Sequence, residues 1–348
     1  MFGQHNIVVC GTARTRTVKN DGEGSCFCTC VFHRMHAGAE KVFQRFFRTG
    51  KTSIFLSYRL LLIFGRFTQP FFALTQDTRF INSISIVPFS SIPYREGSVI
   101  QDNYYETDDQ IAVYSEFHYG TEYFDVAIYP KRCAELCLSF MDGRRKERSL
   151  DLGCAVGRST FELARGFDSV TGLDFSRGFI RVAVEMKEKG LIQYALPEEG
   201  ELVSHHEKRL AEFGLADTQN KVTFRQGDAQ DLDPSLTDYN LIFAGNLIDR
   251  LPNPARFLTH IHERLKIGGL LIITSPYTWL PDFTPREKWI GGFIKDGQPF
   301  TTQDGMTGLL SPCFELIDDT HQVPFVIRET RRKFQHTIAA VTVWERVN

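Results

Sequence analysis

Ser149–Arg158 reads SLDLGCAVGR. A short apolar run closes on Asp151, passes Gly153 and Gly157, and hands over to a helical sequence. That order predicts strand, tight turn, helix. Glycine in the turn lets backbone approach a ligand, and the helix start presents N–H groups with no partner in the helix. Such a loop suits a nucleotide-like cofactor at the carboxyl end of a parallel strand.

Two further acids fall where that cofactor needs them. Ser169–Asp174 (SVTGLD) reads as a second strand, and Asp174 closes it 23 positions after Asp151. An acid about 20 residues beyond a glycine loop accepts hydrogen bonds from a ribose. A third strand, Lys221–Arg225, leads into Gly227 and Asp228, whose carboxylate can accept from an adenine amino group. A fourth, Tyr239–Ala244, ends before Asn246. Loops that follow parallel strands share one rim of the sheet.

This series resembles the class I S-adenosylmethionine methyltransferases from about Leu150 to Trp344. A dinucleotide fingerprint fits less well, because Ala155 stands at its middle glycine. The resemblance implies an α/β, Rossmann-like, seven-stranded and mostly parallel sheet with an antiparallel C-terminal strand hairpin. It implies S-adenosyl-L-methionine as cofactor, held by Asp151, Gly153, Gly157, Asp174, Asp228 and Asn246, with Asp151 near the methionine portion.

The 348-residue chain carries a net charge of −2, but unevenly. Residues 1–95 hold 12 Lys and Arg against 4 Asp and Glu; the remainder is acidic. The shift near Tyr94–Gln101 predicts a boundary between a basic, poorly ordered segment 1–95 and a methyltransferase domain 104–348. An acidic domain repels phosphates, which argues against nucleic acid. Ile54–Phe64 is eleven residues with Arg59 inside it, whereas a membrane span needs ~20. Cys133, Cys137, Cys154 and Cys313 are dispersed, as in a reducing cytoplasm. Cys26, Cys28 and Cys30 are spaced more tightly than zinc sites favour, so no metal is expected.

Around these strands, Thr107 caps a helix to Tyr119, Pro130 opens one to Met141, and Ser176 begins one to about Lys189. Asn253 and Pro254 start another, which Gly268 and Gly269 break before a fifth strand at Leu270–Thr274. Phe314–Asp318 and Thr337–Glu345 read as the closing pair. Two long connections remain. Gly190–Asn220 is expected to hold a short helix at His205–Phe213. Pro276–Pro312, with Tyr277, Trp279 and Trp289, reads as a lid.

A narrower resemblance rests on Tyr114–Gly120 (YSEFHYG), DLGCAVGRSTFELAR at 151–165, NLIDRLPNP at 246–254 and DGMTGLLSP at 304–312. Together they are similar to the methyltransferase region of the ovothiol biosynthesis enzyme OvoA, from about Tyr104 onward. That resemblance implies methylation of an imidazole nitrogen of the small molecule 5-mercaptohistidine. In that family an iron-dependent sulfoxide synthase precedes this region. Residues 1–95 are too short for it, so a separate polypeptide is expected to supply the substrate. His118, Glu116 and Asp249 are the candidates for base and orienter. Tyr114, Tyr119 and Trp279 are the candidates for an aromatic wall around the imidazole. Other acceptors of a class I enzyme, and an inactive fold used as a scaffold, are the alternatives.

Overall fold

The glycine loop leaves β1 (Arg148–Leu152), which lies inside the central sheet. In the computed structural model, which describes residues 104–348, β1 pairs in parallel with β2 (Ser169–Asp174) and β6 (Tyr239–Gly245). Leu150 faces Thr171 on one side and Ile242 on the other. β5 (Val222–Gln226) adds in parallel beyond β2, and β7 (Leu265–Ser275) beyond β6. Apolar side chains run continuously along β6 because both faces of the sheet are covered. Segment 1–95 and its cysteine run lie outside the described residues.

Beyond β7 the direction reverses. β12 (Lys333–Arg346) is antiparallel to β7, and β10 (Phe314–Asp318) is antiparallel to β12. The order is β10-β12-β7-β6-β1-β2-β5, the mostly parallel α/β sheet that the sequence leads one to expect. One strand is additional. β11 (Gln322–Thr330) forms the hairpin with β12, with Thr330 opposite Lys333, so the sheet has eight strands. The closing pair is therefore not a simple hairpin of β10 and β12.

Chain order runs outward from β1 to β2 and β5 on one side, and to β6 and β7 on the other. That switch point opens a crevice at the carboxyl ends of β1 and β6. On one face, α1 (Asp108–Tyr119), α2 (Tyr129–Phe140), α3 (Arg158–Leu163) and α4 (Arg177–Lys189) bury Phe117, Cys137, Phe161 and Met186 against Leu241. On the other, α5 (Pro254–His260) and α6 (Thr302–Leu310) bury Phe257, Leu258 and Met306 against Ile242 and Trp344. Thr107 accepts from the Gln110 N–H, and Ser176 from the Phe179 N–H, so both expected N-caps are made.

The connection after α4 differs from its reading. In place of a helix at His205–Phe213, β3 (Leu191–Glu199) and β4 (Leu202–Arg209) form a separate two-stranded sheet, followed by a 3-10 turn at Leu210–Phe213. Both faces of β4 carry polar residues, so its sequence lacks the period-2 signal. Cross-strand partners hold it: Gln193 donates to Glu207, and Ser204 to Glu198. The second connection contains the short hairpin β8 (Phe293–Lys295) and β9 (Gln298–Phe300), then α6 with a capping box of Thr301 and Asp304. Among the described residues, Cys133, Cys137, Cys154 and Cys313 are free thiols, and no helix is long and apolar enough to cross a membrane.

Candidate functional site

The loop after β1 is built by its own hydrogen bonds. Gly153 and Cys154 N–H both donate to Leu173 O, which ties the turn to β2. Backbone φ is +73° at Gly153, +44° at Ala155 and +89° at Gly157. Ala155 thus takes a left-handed conformation that costs a residue with a Cβ roughly 1–2 kcal/mol. At Gly157 any Cβ would lie 2.7 Å from the Phe224 ring, so glycine there also lets α3 approach β5.

Asp174 joins this loop to the next. Its Oδ2 accepts from Ala155 N–H and its Oδ1 from Ser176 N–H, each at 2.9 Å. Burial raises its pKa to about 6, although these N–H groups oppose the rise. The side chain is half-buried on the rim and keeps further lone pairs for a vicinal diol. Asp228, also half-buried, accepts from Gln230 N–H through Oδ1 and borders a cleft of about 450 Å³ with Leu173, Gly227 and Leu232. That cleft lies at the β5 edge and does not reach Gly153 or Asp174.

Asp151 has a different position from the one expected. It is buried, and its Oδ2 accepts from Ser159 Oγ at 2.7 Å and Thr160 Oγ1 at 2.6 Å. Burial raises its pKa to about 6. This oxygen braces the first turn of α3 instead of facing the rim.

A strap ahead of α1, absent from the sequence reading, closes over these loops. Glu106 accepts from Arg177 and Gly178 N–H at the start of α4, and Ser176 Oγ donates to Tyr105 O. On its other side Tyr105 packs on Tyr114 and Phe283, beside the Arg250 guanidinium. The strap therefore reaches from the loop after β2 to the loop after β6, which flank the glycine loop. Its signal was the tyrosine pair ahead of the Thr107 cap.

At the β6 end, Asn246 takes φ +50°. Its Oδ1 accepts from Tyr129 Oη at 2.8 Å, and its N–H donates to Thr274 O. Tyr129 was not singled out in the sequence; its partners are distant along the chain. Asp249 lies nearby but is 0% exposed and fully engaged. Arg250 Nη1, Ser275 Oγ and Thr278 N–H all donate to its carboxylate. It joins β6 to β7 and has no open face for a base.

His118 is also committed. Its Nδ1 accepts from Arg158 N–H at 3.3 Å, at the start of α3. Burial, aided by the Arg158 charge, lowers its pKa to about 3, so the ring is neutral. The aromatic-wall reading is corrected at two positions. Tyr119 is 0% exposed and donates to Val156 O within the core. Trp279 Nε1 donates to Thr302 Oγ1 on α6, and its ring stacks on Trp289. Both rings are held by packing. Tyr114 instead belongs to the strap cluster, against Phe179 and Tyr105.

Glu116 stands apart from these. It is 3% exposed, and no cation is in hydrogen-bond contact with it. Tyr123 Oη and Thr121 N–H donate to Oε1, and Tyr194 Oη to Oε2. Burial alone would raise its pKa, but these donors, together with the Lys208 charge, outweigh it and hold the carboxylate below its ordinary range. Glu116, Tyr123, Tyr129 and Arg328 line one small cavity. Tyr129 therefore links that cavity to Asn246 on the rim.

With this geometry in place, the comparisons decide the family. Residues 126–310, more than half of the chain, match the family described as "Methyltransferase domain". The chain belongs to that family.

A curated relative of this methyltransferase domain is trans-aconitate 2-methyltransferase of Deinococcus radiodurans, 28% identical over 181 residues. The match covers 49% of this chain and spans about half, 55%, of that relative. Among solved structures it is similar to the N-methyltransferase NodS of Bradyrhizobium japonicum with S-adenosyl-L-homocysteine. There the identity is 13%, the coverage 69% of this chain and 99% of that one, and the TM-score 0.42. For magnesium protoporphyrin IX methyltransferase of Synechocystis, with the same ligand, the values are 16%, 70%, 96% and 0.43. The domain is that of a methyltransferase. Asp174 and Asp228 are the rim residues that would hold the ribose and the adenine amine of S-adenosylmethionine.

Proposed function

We propose that this domain methylates an imidazole nitrogen of 5-mercaptohistidine, giving ovothiol. The observation that carries this reading is Glu116, a buried carboxylate kept ionised by two phenols and one N–H, beside the cavity that Tyr129 joins to the rim. A buried anion with no cation in hydrogen-bond contact favours a bound ammonium over a second carboxylate beside it. That favours an amine-bearing acceptor over a tricarboxylate of the kind the Deinococcus relative is named for. The choice of an imidazole acceptor rests on the resemblance of Tyr114–Gly120, 151–165, 246–254 and 304–312 to the ovothiol methyltransferase region.

Bound S-adenosylmethionine offers a methyl group on a sulfonium, open to in-line displacement. The residues of this chain supply alignment and exclude water, which are the main demands of such a transfer. An imidazole with an unperturbed pKa of about 6.5 already presents a lone pair at neutral pH. No strong base is then required, which agrees with His118 and Asp249 being committed elsewhere. In this reading Glu116 orients the acceptor. A sulfoxide synthase supplies the sulfur-bearing substrate.

Labelled cofactor offered with 5-mercaptohistidine, histidine, carnosine and trans-aconitate tests this. Label is expected in 5-mercaptohistidine. Label in histidine, carnosine or trans-aconitate, with none in the thiol compound, would reject the reading.

A further inference from the structure

The cavity beside Glu116 carries a second buried charge. Arg328, on β11, has a side chain 8% exposed and lines the same cavity. It does not pair with Glu116. Its Nη2 donates to Glu198 Oε1 at 2.7 Å, and Glu198 sits at the tip of the β3–β4 hairpin, where Ser204 Oγ also donates to it. Glu198 is more exposed, at 22%. One cavity therefore has an anion and a cation in its lining, and the cation is covered by a carboxylate from an element outside the central sheet.

We propose that this cavity is the binding site for the backbone groups of an α-amino-acid acceptor, with Glu116 taking the ammonium and Arg328 the carboxylate. Glu198 is then a placeholder that occupies Arg328 until an acceptor carboxylate displaces it. The inference rests on the reading that the acceptor is an amino acid of the mercaptohistidine kind. The cavity is about 10 Å³, room for a single water, so entry requires the hairpin tip that carries Glu198 to move outward. The tip is suited to this, because residues 199–203 are exposed, while Ile192, Tyr194 and Leu196 hold the base of β3 in the core. The charges are suited as well, because exchange of one carboxylate for another on Arg328 leaves no buried cation unpaired. The reacting ring would extend past Tyr129 toward Asn246, to which the Tyr129 hydroxyl donates.

The test compares two acceptors that differ only by the carboxylate: 5-mercaptohistidine and its decarboxylated amine. Methyl transfer is measured on the full chain for wild type, Arg328→Met, Arg328→Lys and Glu198→Gln. The proposal expects Arg328→Met to raise KM about tenfold or more for the amino acid, with kcat little changed. For the decarboxylated amine, KM should be the same in both proteins. Arg328→Lys should recover part of the loss. Glu198→Gln, which weakens the placeholder, should lower KM for the amino acid. A purely structural pair would instead move both acceptors together and make Glu198→Gln as harmful as Arg328→Met; that result overturns the proposal. If wild type uses 5-mercaptohistidine while Arg328→Met leaves its KM alone, the inference falls and the proposed function stands. If wild type uses neither compound, both fall.

Discussion

The Tyr129 hydroxyl donates to Asn246 Oδ1 at 2.8 Å, across 117 residues of sequence. Thr274 Oγ1 lies 2.6 Å from the same phenol and accepts from Asn246 N–H, so three groups close a ring at the ends of β6 and β7. The ring holds Asn246 in a left-handed conformation at the cofactor rim. Tyr129→Phe leaves the buried Thr274 Oγ1 and the half-buried Asn246 Oδ1 short of a partner, at about 1–3 kcal/mol. Expected results are a lowered Tm and a weakened Kd for S-adenosylmethionine. A variant with lowered stability and wild-type cofactor affinity would separate this ring from the site.

His118 predicts an absence in the pH profile. Its pKa is near 3 and its Nδ1 is occupied, so the ring does not titrate between pH 5 and 8. His118→Asn, whose Oδ1 can accept the same Arg158 N–H, should leave the shape of kcat/KM against pH unchanged. His118→Phe cannot accept it and should lose about 1–3 kcal/mol of stability. An acidic limb present in wild type and missing in the Asn variant would restore the ring as a base.

Glu116→Gln removes a charge while keeping hydrogen-bonding capacity toward Tyr123, Tyr194 and Thr121. Tm should stay within a few degrees, while KM for the acceptor rises about tenfold or more. Cofactor affinity should not change. A variant with wild-type KM would remove Glu116 from acceptor binding.

Cofactor affinity should depend on pH through Asp174, whose pKa is raised to about 6. The sign follows from the role. An ionised carboxylate accepts hydrogen bonds from both ribose hydroxyls, and protonation removes the charge and turns one of its oxygens into a donor. Affinity should be level above pH 7 and weaken as pH falls through 6, by at most about tenfold per unit. Calorimetric titrations at pH 5, 6 and 7.5 would show it. Affinity that rises on acidification would contradict the assignment.

The rim was legible because it is local in sequence. A strand of apolar residues, an acid and a left-handed turn fall within SLDLGCAVGR, and the strands that carry Asp174, Asp228 and Asn246 repeat that logic. The β3–β4 hairpin was not legible. Ser-His-His-Glu-Lys-Arg has no apolar face, and its strand state comes from β3 beside it. β11 was missed for a related reason: its partner, β12, supplies the order for a segment interrupted by Pro324. The fates of His118, Tyr119, Trp279 and Asp249 were also hidden. Residue type shows what a side chain can do, while its commitment to Arg158, Val156, Thr302 or Ser275 depends on long-range packing.

The most direct test of the account is calorimetric titration of S-adenosylmethionine into wild type and Asp174→Ala, beside thermal melts of both. The account predicts that the Ala variant still melts cooperatively, with Tm lowered by several degrees because Ala155 and Ser176 N–H lose their acceptor, and binds at least about tenfold more weakly, since it loses charge-assisted hydrogen bonds to the ribose. Equal affinity in a folded Asp174→Ala protein would contradict it.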